Sequence, residues 1–373
     1  MDNTNLRLDR RLLDIFHYLH THAEISWKET NTTAYIADIL RSEGIACYTF
    51  DDCTGLVAEV GSGQPVIAVR ADIDALWQEV NGTYQANHSC GHDAHMAIVI
   101  GTIFSLKDHV KKGTVRFIFQ PAEETGGGAL KMVKKGVVDD VDYLFGIHLR
   151  PAEELPFGKM TPAIHHGAVA FLKGSIAGHD AHGARPHQTV NAIDVLSAIN
   201  EQLKWIKFPP FESYSVKMTY MEAGGQSLNI IPGTGKFGLD VRAQKNSVLL
   251  DMQKEVEKKL DGLAQLLQVN IAYDWIDVTP GAEVSPEAEE YLRQGIIQAA
   301  GKDRLAPPLT TSGSDDFHFY TIERPHLKAS MMGIGADLKP GLHHPDMTFD
   351  KRAIQLGVEA LAATVQQALQ GAE

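Results

Sequence analysis

A thiol and an imidazole stand one residue apart in residues 89–93, which read Ser-Cys-Gly-His-Asp. Thiolate sulfur and imidazole nitrogen are both common ligands of divalent metals such as Zn²⁺. A helical pattern follows this segment, and the start of a helix would help to keep Cys90 deprotonated because its amide groups favour negative charge. A lone buried cysteine is more often only a small apolar residue. Cys90 and His92 therefore predict a metal site only in combination with further ligands.

Two adjacent carboxylates supply a second part of such a site. Glu123 and Glu124 lie between an apolar run and a glycine-rich turn. Neighbouring negative charges repel each other unless a cation compensates them. One carboxylate could bind metal while the other faces the attacking water as a general base, within a hydrogen-bond reach of about 2.6–3.2 Å. A solvated surface pair is the ordinary alternative, but the position in the chain favours the site.

Two further histidines could complete the ligand set. His148 ends an apolar run, and His343 stands in the turn-like sequence Leu-His-His-Pro. Taken alone, His148 would be a core histidine and His343 an exposed one, so the ligand prediction depends on the whole set. Six other histidines are predicted to be structural or supporting: His88, His95, His165, His166, His179 and His187.

The pattern of apolar segments predicts that these residues converge. Three short apolar runs, separated by helical stretches, are typical of buried parallel strands; they lie at residues 66–69, 115–119 and 143–147. Asp72 and Asp74 follow the first run, the glutamate pair follows the second and His148 the third. Ligands bind outside the carboxyl ends of strands in open α/β sheets, so we expect the polar side chains at one edge.

The middle of the chain follows a different pattern. Its strands and helices occur in the order β-α-β-β-α-β, which is typical of a ferredoxin-like unit. The predicted fold class is α/β, a mixed and mostly parallel sheet flanked by helices, with an inserted ferredoxin-like α+β domain. The predicted division is a metal-binding catalytic domain over 1–167, the inserted domain over 168–278, and the rest of the catalytic domain over 279–373.

Three residues of the inserted segment are candidates for the site, His182 as a catalytic residue and Asn229 and Arg242 as substrate contacts. His182 lies in a loop rich in glycine, which would position an imidazole. Asn229 and Arg242 could bind an anionic substrate group, Arg242 as a planar bidentate donor. An ordinary turn for His182 and a surface arginine for Arg242 are the alternatives.

Composition narrows the class of protein. The chain has 373 residues, of which 44% are apolar and 22% charged, and a formal net charge of -13, which argues against nucleic acid as a partner. No stretch approaches the roughly 18 apolar residues of a membrane span, and residues 1–7 do not resemble a secretory signal. Three cysteines without disulfide spacing predict a reducing, cytoplasmic location.

Six short motifs, taken in order, resemble the M20 metallopeptidase family. They are 70–76 (Arg-Ala-Asp-Ile-Asp-Ala-Leu), 90–93 (Cys-Gly-His-Asp), 120–124 (Gln-Pro-Ala-Glu-Glu), 146–148 (Gly-Ile-His), 313–317 (Gly-Ser-Asp-Asp-Phe) and 342–345 (Leu-His-His-Pro). The chain is most similar to the amidohydrolase branch, with its N-acyl-amino-acid and auxin-conjugate hydrolases, and within it to AmhX-type amidohydrolases of bacilli. The resemblance extends nearly end to end, including residues 20–29.

The resemblance implies a role for each candidate residue. It implies a site for two divalent metal ions, Mn or Zn with Co or Ni as alternatives, bound by Cys90, His92, Glu124, His148 and His343. His343 is preferred to His344 because the family's ligand stands two residues before the proline. Glu123 is the implied general base, and Asp74 an acid that orients a ligand. His182 resembles a lid histidine that reaches across a homodimer, and Asn229 and Arg242 match positions that hold the substrate carboxylate.

The chain departs from the family pattern at three places. The segment between Trp77 and Ser89 is shorter than usual, with Trp77 where a proline is typical, so the acyl pocket is expected to differ. Ala23 replaces a common proline, and Asp315 stands where glutamate is commoner.

The predicted function is a metal-dependent amidohydrolase. Its substrate would be an N-acyl amino acid or a related small amide, cleaved by a metal-activated water with Glu123 as base. A metallo-exopeptidase or dipeptidase with the same centre is one alternative, and a cysteine hydrolase using Cys90 without metal is another. A catalytically silent binding relative is the third, which the intact ligand set argues against.

Overall fold

The computed structural model describes residues 9–371, so the expectation for residues 1–7 lies outside the described part. The chain forms two compact units. The first contains the chain up to His165, Glu283–Thr310 and the chain from Asp316, and the second contains His166–Ala282 and Thr311–Asp315. The predicted division places residues 166–167, 279–282 and 311–315 with the catalytic domain, whereas they group with the inserted unit.

Within residues 9–371, nine strands belong entirely to the first unit. They are β1 (Cys47–Thr49), β2 (Leu56–Ser62), β3 (Val66–Asp72), β4 (Leu76–Val80), β5 (Thr83–Asn87), β6 (Gly113–Gln120), β7 (Tyr143–Pro151), β8 (Met160–Thr161) and β17 (Lys328–Leu338). Two further strands, β9 (Ile164–His166) and β16 (Leu309–Thr311), contain residues of both units.

Seven of these strands form one sheet, in the order β1-β2-β6-β3-β7-β17-β8. The four central strands, β6, β3, β7 and β17, are parallel to one another, and the pairs at both edges are antiparallel. The remaining two strands, β4 and β5, pair with each other as an antiparallel hairpin. The carboxyl ends of the parallel strands therefore share one edge.

The described part of the first unit contains seven α-helices. They are α1 (Arg10–Thr21), α2 (Thr30–Ser42), α3 (His92–Leu106), α4 (Gly128–Lys134), α7 (Pro286–Ala300), α8 (Phe319–Glu323) and α9 (Arg352–Gly371). Polar side chains begin two of them: Asp9 accepts a hydrogen bond from the Arg11 amide, and Ser285 caps α7 ahead of a proline. α3 is buried along almost its whole length, which its nearly unbroken apolar sequence requires.

The second unit is a four-stranded antiparallel sheet with two helices. Its elements are β10 (Ala168–Ala177), β11 (Ala181–His182), α5 (Ala192–Leu203), β12 (Tyr214–Ala223), β13 (Ile230–Ile231), β14 (Gly235–Ala243), α6 (Asn246–Leu267) and β15 (Asn270–Thr279). The sheet order is β12-β14-β10-β15, the arrangement of a ferredoxin-like unit. The predicted fold class is confirmed for both units, while the lid and dimerisation roles stay predictions. None of the described helices combines the length and apolar character that crossing a bilayer requires.

Two glycines of the second unit should respond in opposite ways to the same substitution. At Gly174 in β10, an added Cβ would lie 2.1 Å from the ring of Phe237, a buried core residue. At Gly262, exposed on α6, no atom lies within 4 Å of the added Cβ. We expect Gly174→Ala to lower the free energy of unfolding by about 1–3 kcal/mol and Gly262→Ala to raise it by about 0.5–1 kcal/mol. Urea unfolding of both variants measures these free energies. Equal changes in the two variants would contradict the prediction.

Candidate metal centre

The shared carboxyl edge of β3, β6 and β7 carries the predicted acidic and imidazole groups. Asp72 ends β3 and Asp74 follows it, the glutamate pair follows β6, and His148 lies inside β7 near its end. The parallel pairing of these strands brings the three segments side by side. This is the convergence that the strand pattern predicts.

Cys90 and His92 reach the same edge from the start of α3. Gly91 between them has a φ of +89°, in the left-handed region that favours glycine. A Cβ at Gly91 would lie 3.1 Å from the side chain of Leu149. Glycine therefore allows the chain to turn into α3 with both ligand-type side chains buried.

The predicted ligand atoms lie within a few ångströms of one another. Cys90 Sγ is 3.6 Å from His148 Nε2, and His92 Nε2 is 3.9 Å from Glu124 Oε1. His343 Nε2 is 3.5 Å from Glu124 Oε2. Atoms that share a zinc ion at about 2.0–2.3 Å are themselves roughly 3–4 Å apart. All five predicted ligands thus belong to groups that could hold a metal ion.

Hydrogen bonds determine which ring nitrogen of His92 and of His148 can act as a metal ligand. His92 Nδ1 lies 2.8 Å from the carbonyl oxygen of Asp74, and His148 Nδ1 lies 2.6 Å from that of Leu149. A carbonyl only accepts, so each Nδ1 carries the proton. When the rings are neutral, each Nε2 then presents a lone pair toward the cluster, which is the arrangement of metal-binding histidines with a supporting partner.

The donor set fits a divalent cation. Among the described residues, the buried atoms His92 Nε2 and Glu124 Oε1 have no hydrogen-bond partner, a costly state for polar groups away from water. Burial raises the pKa of Glu124 to about 7, and it raises the pKa of the Cys90 thiol well above its usual range, with the Glu124 charge adding to it. A bound cation would compensate the negative charges that burial disfavours, so that both groups could ionise.

The loop after β17 supplies His343, not His344, to this cluster. The His343 amide donates to the carbonyl of Ser89, and Gln78 in β4 donates to the His343 carbonyl. His344 Nδ1 instead accepts a hydrogen bond from the Asp346 amide. The imidazole beside Glu124 is therefore the one that stands two residues before the proline.

Asp74 contacts the candidate ligands that follow β6 and the one that begins α3. Its carboxylate accepts hydrogen bonds from the amides of Glu123 and Glu124 at 3.1 and 3.0 Å and from the Ser26 hydroxyl at 2.6 Å. Burial opposes its ionisation, but the contact with His92 and these hydrogen bonds lower the pKa of Asp74. An ionised Asp74 thus fixes the position of both glutamates.

A second aspartate, Asp72, contacts His95, a histidine that lies next to this cluster. Asp72 Oδ1 lies 2.7 Å from His95 Nδ1. His95 Nε2 accepts a hydrogen bond from the Leu149 amide, so Nδ1 is the protonated nitrogen that donates to Asp72. His95 thus joins Asp72 to the backbone of β7, while its structural or supporting role stays a prediction.

The catalytic candidate His182 and the two predicted substrate contacts lie in the second unit. His182 in β11 pairs with Ile230 in β13, and the Gly183 amide donates to the carbonyl of Asn229 at 2.7 Å. His182 Nδ1 accepts a hydrogen bond from the Ala184 amide, which leaves Nε2 as the proton donor of a neutral ring. The structure brings His182 and Asn229 together.

Arg242 lies elsewhere in that unit, on β14. Asp240 holds its Nε at 2.9 Å, and its Nη1 donates to the carbonyl of Ser312. Arg242 lines a cavity of about 320 Å³ together with Ser215, Lys217 and Ser312. Its guanidinium is thus fixed at the wall of a polar cavity.

A buried network beneath the centre did not follow from the sequence. Arg70 in β3 donates to Asp72, Gln120 and Asp316 at 2.6, 2.9 and 2.8 Å. Both Arg70 and Asp316 lie in the quoted motifs, but nothing in the motifs shows that a charged group on a strand faces inward. The sequence signal that could have indicated this network is an arginine within a run of mostly apolar residues, Val66–Asp72.

A model of peptidase family M20/M25/M40 matches residues 68–367 of the chain. The chain belongs to the M20 family. The relationship predicted from the six motifs is confirmed, and so is an enzyme of the metal-dependent amidohydrolase type.

Relatives and a solved structure of the M20 family cover most of the chain. N-acetyl-L-cysteine deacetylase of Bacillus subtilis is 30% identical, over 93% of this chain and 85% of that protein. IAA-amino acid hydrolase ILR1-like 4 of Arabidopsis thaliana is 28% identical, over 83% and 74%. The crystal structure of a dinuclear metal binding peptidase of the M20 family from Bacillus subtilis aligns with a TM-score of 0.81 and 27% identity, over 96% of this chain and 98% of that one.

Proposed function

We propose that this M20 enzyme hydrolyses the amide bond of N-acyl amino acids or related small amides. The observation that carries the proposal is the clustering of Cys90, His92, Glu124, His148 and His343 with Glu123 beside them. Two relatives named for acyl-amino-acid and auxin-conjugate hydrolysis support this substrate class. The similar structure described as dinuclear supports two metal ions per chain.

Within this proposal the five clustered residues hold two divalent ions. When bound, the ions supply Lewis acidity, which polarises the substrate carbonyl and makes a water molecule more acidic. Mn²⁺ and Zn²⁺ are the first candidates, and Co²⁺ and Ni²⁺ suit the same mixture of thiolate, imidazole and carboxylate.

Glu123 acts as the general base. Its Oε2 lies 3.8 Å from His92 Nε2, so it faces the cluster, and its amide is held by Asp74. It takes a proton from the water that adds to the acyl carbon, and it returns that proton to the nitrogen as the C–N bond breaks. The products are a carboxylic acid and a free amine, with one water consumed.

The second unit contributes the groups that recognise the substrate. The proposal assigns His182 Nε2–H to the negative charge that develops on the carbonyl oxygen, a role for which one good donor is worth about 2.7–4 kcal/mol in other enzymes. The proposal assigns the carboxylate of the amino acid to Asn229 and to the fixed guanidinium of Arg242, which lie in different parts of this unit. Dimerisation through this unit is proposed from the family resemblance.

Metal removal should abolish turnover and metal return should restore it. We expect amine release from N-acetyl and N-benzoyl amino acids to fall to background after chelation and to recover with Mn²⁺ or Zn²⁺, because the cluster alone lacks a Lewis acid. The metal should also stabilise the fold, by about 2.7 kcal/mol at a free concentration 100 times its Kd.

A parallel panel of dipeptides separates this function from that of an exopeptidase. Turnover of dipeptides with no release from acylated amino acids would replace the proposed substrate class. Turnover that persists in chelator would instead favour a metal-free cysteine hydrolase.

A further inference from the structure

The backbone that carries the glutamate pair is held by two buried carboxylates. The Ala122 amide donates to Glu29 Oε1 at 2.9 Å. The next two amides, of Glu123 and Glu124, donate to the two oxygens of Asp74 at 3.1 and 3.0 Å. Three consecutive N–H groups are thus bound by side chains from two other segments. Asp74 has a predicted role, whereas Glu29 has none.

Ala122 adopts a conformation that needs such support. Its φ is +52°, a left-handed conformation that costs a residue with a Cβ about 1–2 kcal/mol. Residues in this region persist where the surrounding structure over-determines them, and they cluster at functional sites. Because Ala122 directly precedes Glu123, its backbone angles decide the direction in which both glutamates leave β6.

Glu29 itself is rigidly placed. It is fully buried at the start of α2, and its carbonyl accepts from the amide and hydroxyl of Thr33 at 3.0 and 2.6 Å. The second carboxylate oxygen, Oε2, accepts from the Thr54 hydroxyl at 2.5 Å. Burial raises the pKa of Glu29 while the contact with Thr54 opposes it. The carboxyl group thus reaches the turn from a helix that is fixed independently of it.

We propose that Glu29 is a positioning residue of the metal centre, which holds Ala122 in the left-handed conformation and so aims Glu123 and Glu124. The inference rests on the proposed roles of those two glutamates. Glu29 contacts neither substrate nor metal; it acts through the backbone, as Asp74 does one residue further along.

The test compares Glu29→Ala and Glu29→Gln in the full chain, with Glu24→Ala as a matched control. Glu24 is a glutamate five positions earlier that accepts hydrogen bonds from the Thr32 amide and hydroxyl at 2.8 and 2.9 Å, so it supports α2 but not the turn. Glutamine retains an oxygen for the Ala122 amide, and its NH₂ group can donate to the Thr54 hydroxyl oxygen. Alanine retains neither contact.

We expect Glu29→Ala to lower the Co²⁺ affinity or kcat by about 10–100-fold, the usual effect of losing support behind a metal ligand. The visible absorption spectrum of the bound Co²⁺ should also change, with KM nearly unchanged. Glu29→Gln should restore wild-type values, and Glu24→Ala should keep them. Should Glu29→Ala not fold, Glu29→Asp carries the test, since the shorter side chain withdraws its carboxylate from the Ala122 amide.

A folded Glu29→Ala or Glu29→Asp variant with wild-type Co²⁺ affinity, spectrum and kcat would overturn the inference. So would an equal loss in Glu24→Ala, because that would show only a general effect on α2. If the wild type binds Co²⁺ but hydrolyses none of the substrates, the proposed function fails, while the Co²⁺ spectrum still decides the role of Glu29.

Discussion

Glu123→Gln should lower kcat for amide hydrolysis by about 10²–10⁴-fold, the usual contribution of a positioned general base. Glutamine has nearly the same shape, but it cannot accept a proton from the water. The backbone should not change, because the Glu123 amide and not its side chain bonds to Asp74. Steady-state kinetics on an N-acetyl amino acid measure kcat, and the metal content per chain shows whether the metal centre is intact.

Glu124→Gln is the matched control for that substitution. Glu124 lies inside the cluster of candidate ligands: its Oε1 is 3.9 Å from His92 Nε2, and its Oε2 is 3.5 Å from His343 Nε2. Its conversion to an amide should lower metal content, and kcat would fall as a consequence. Glu123→Gln with normal metal content and most of its turnover would exclude Glu123 as the base. Loss of metal in Glu123→Gln would assign it to the ligands instead.

The parallel part of the fold could be predicted because each of its strands is recognisable from its own short stretch of sequence. The strands β3, β6 and β7 are short apolar runs that need burial on both faces, and the helix pattern between them implies parallel connections. Once these strands are parallel, the polar residues that follow them must share one edge. The position of the centre was therefore predictable from strand order alone.

Two elements near the centre were not predicted, for different reasons. β17 contains methionines and glycines and few β-branched residues, so its sequence does not favour a strand. It becomes one because it pairs along its length with β7, far away in sequence. The hairpin of β4 and β5 is largely exposed and lacks a core-facing pattern; its contact with the His343 loop through Gln78 depends on the fold.

Supporting contacts were the least predictable part of the site. Asp74 and Asp316 lie in the quoted motifs and Glu29 lies in the matching segment 20–29, but only the folded chain shows which amide or guanidinium each carboxylate binds. Asp316 accepts from the Ala129 amide, Gln120 and Arg70, which come from three separate segments. Such contacts depend on distances across the sheet, which residue types and spacing do not contain.

Arg70→Leu should lower the free energy of unfolding by about 3–5 kcal/mol, because breaking a buried ion pair leaves a charge without its partner. The Arg70 side chain is 0% exposed, as are those of Asp72 and Asp316, which it joins. Leucine fills part of the space but leaves two buried carboxylates without their guanidinium. Urea unfolding of the wild type and the variant measures the loss. Arg41→Leu is the control, since the Arg41–Asp38 pair on α2 is exposed and its loss should cost at most about 1 kcal/mol. Equal, small effects in both variants would show that the network beneath the centre does not stabilise the fold, and Asp72 and Asp316 would then need another source of compensation.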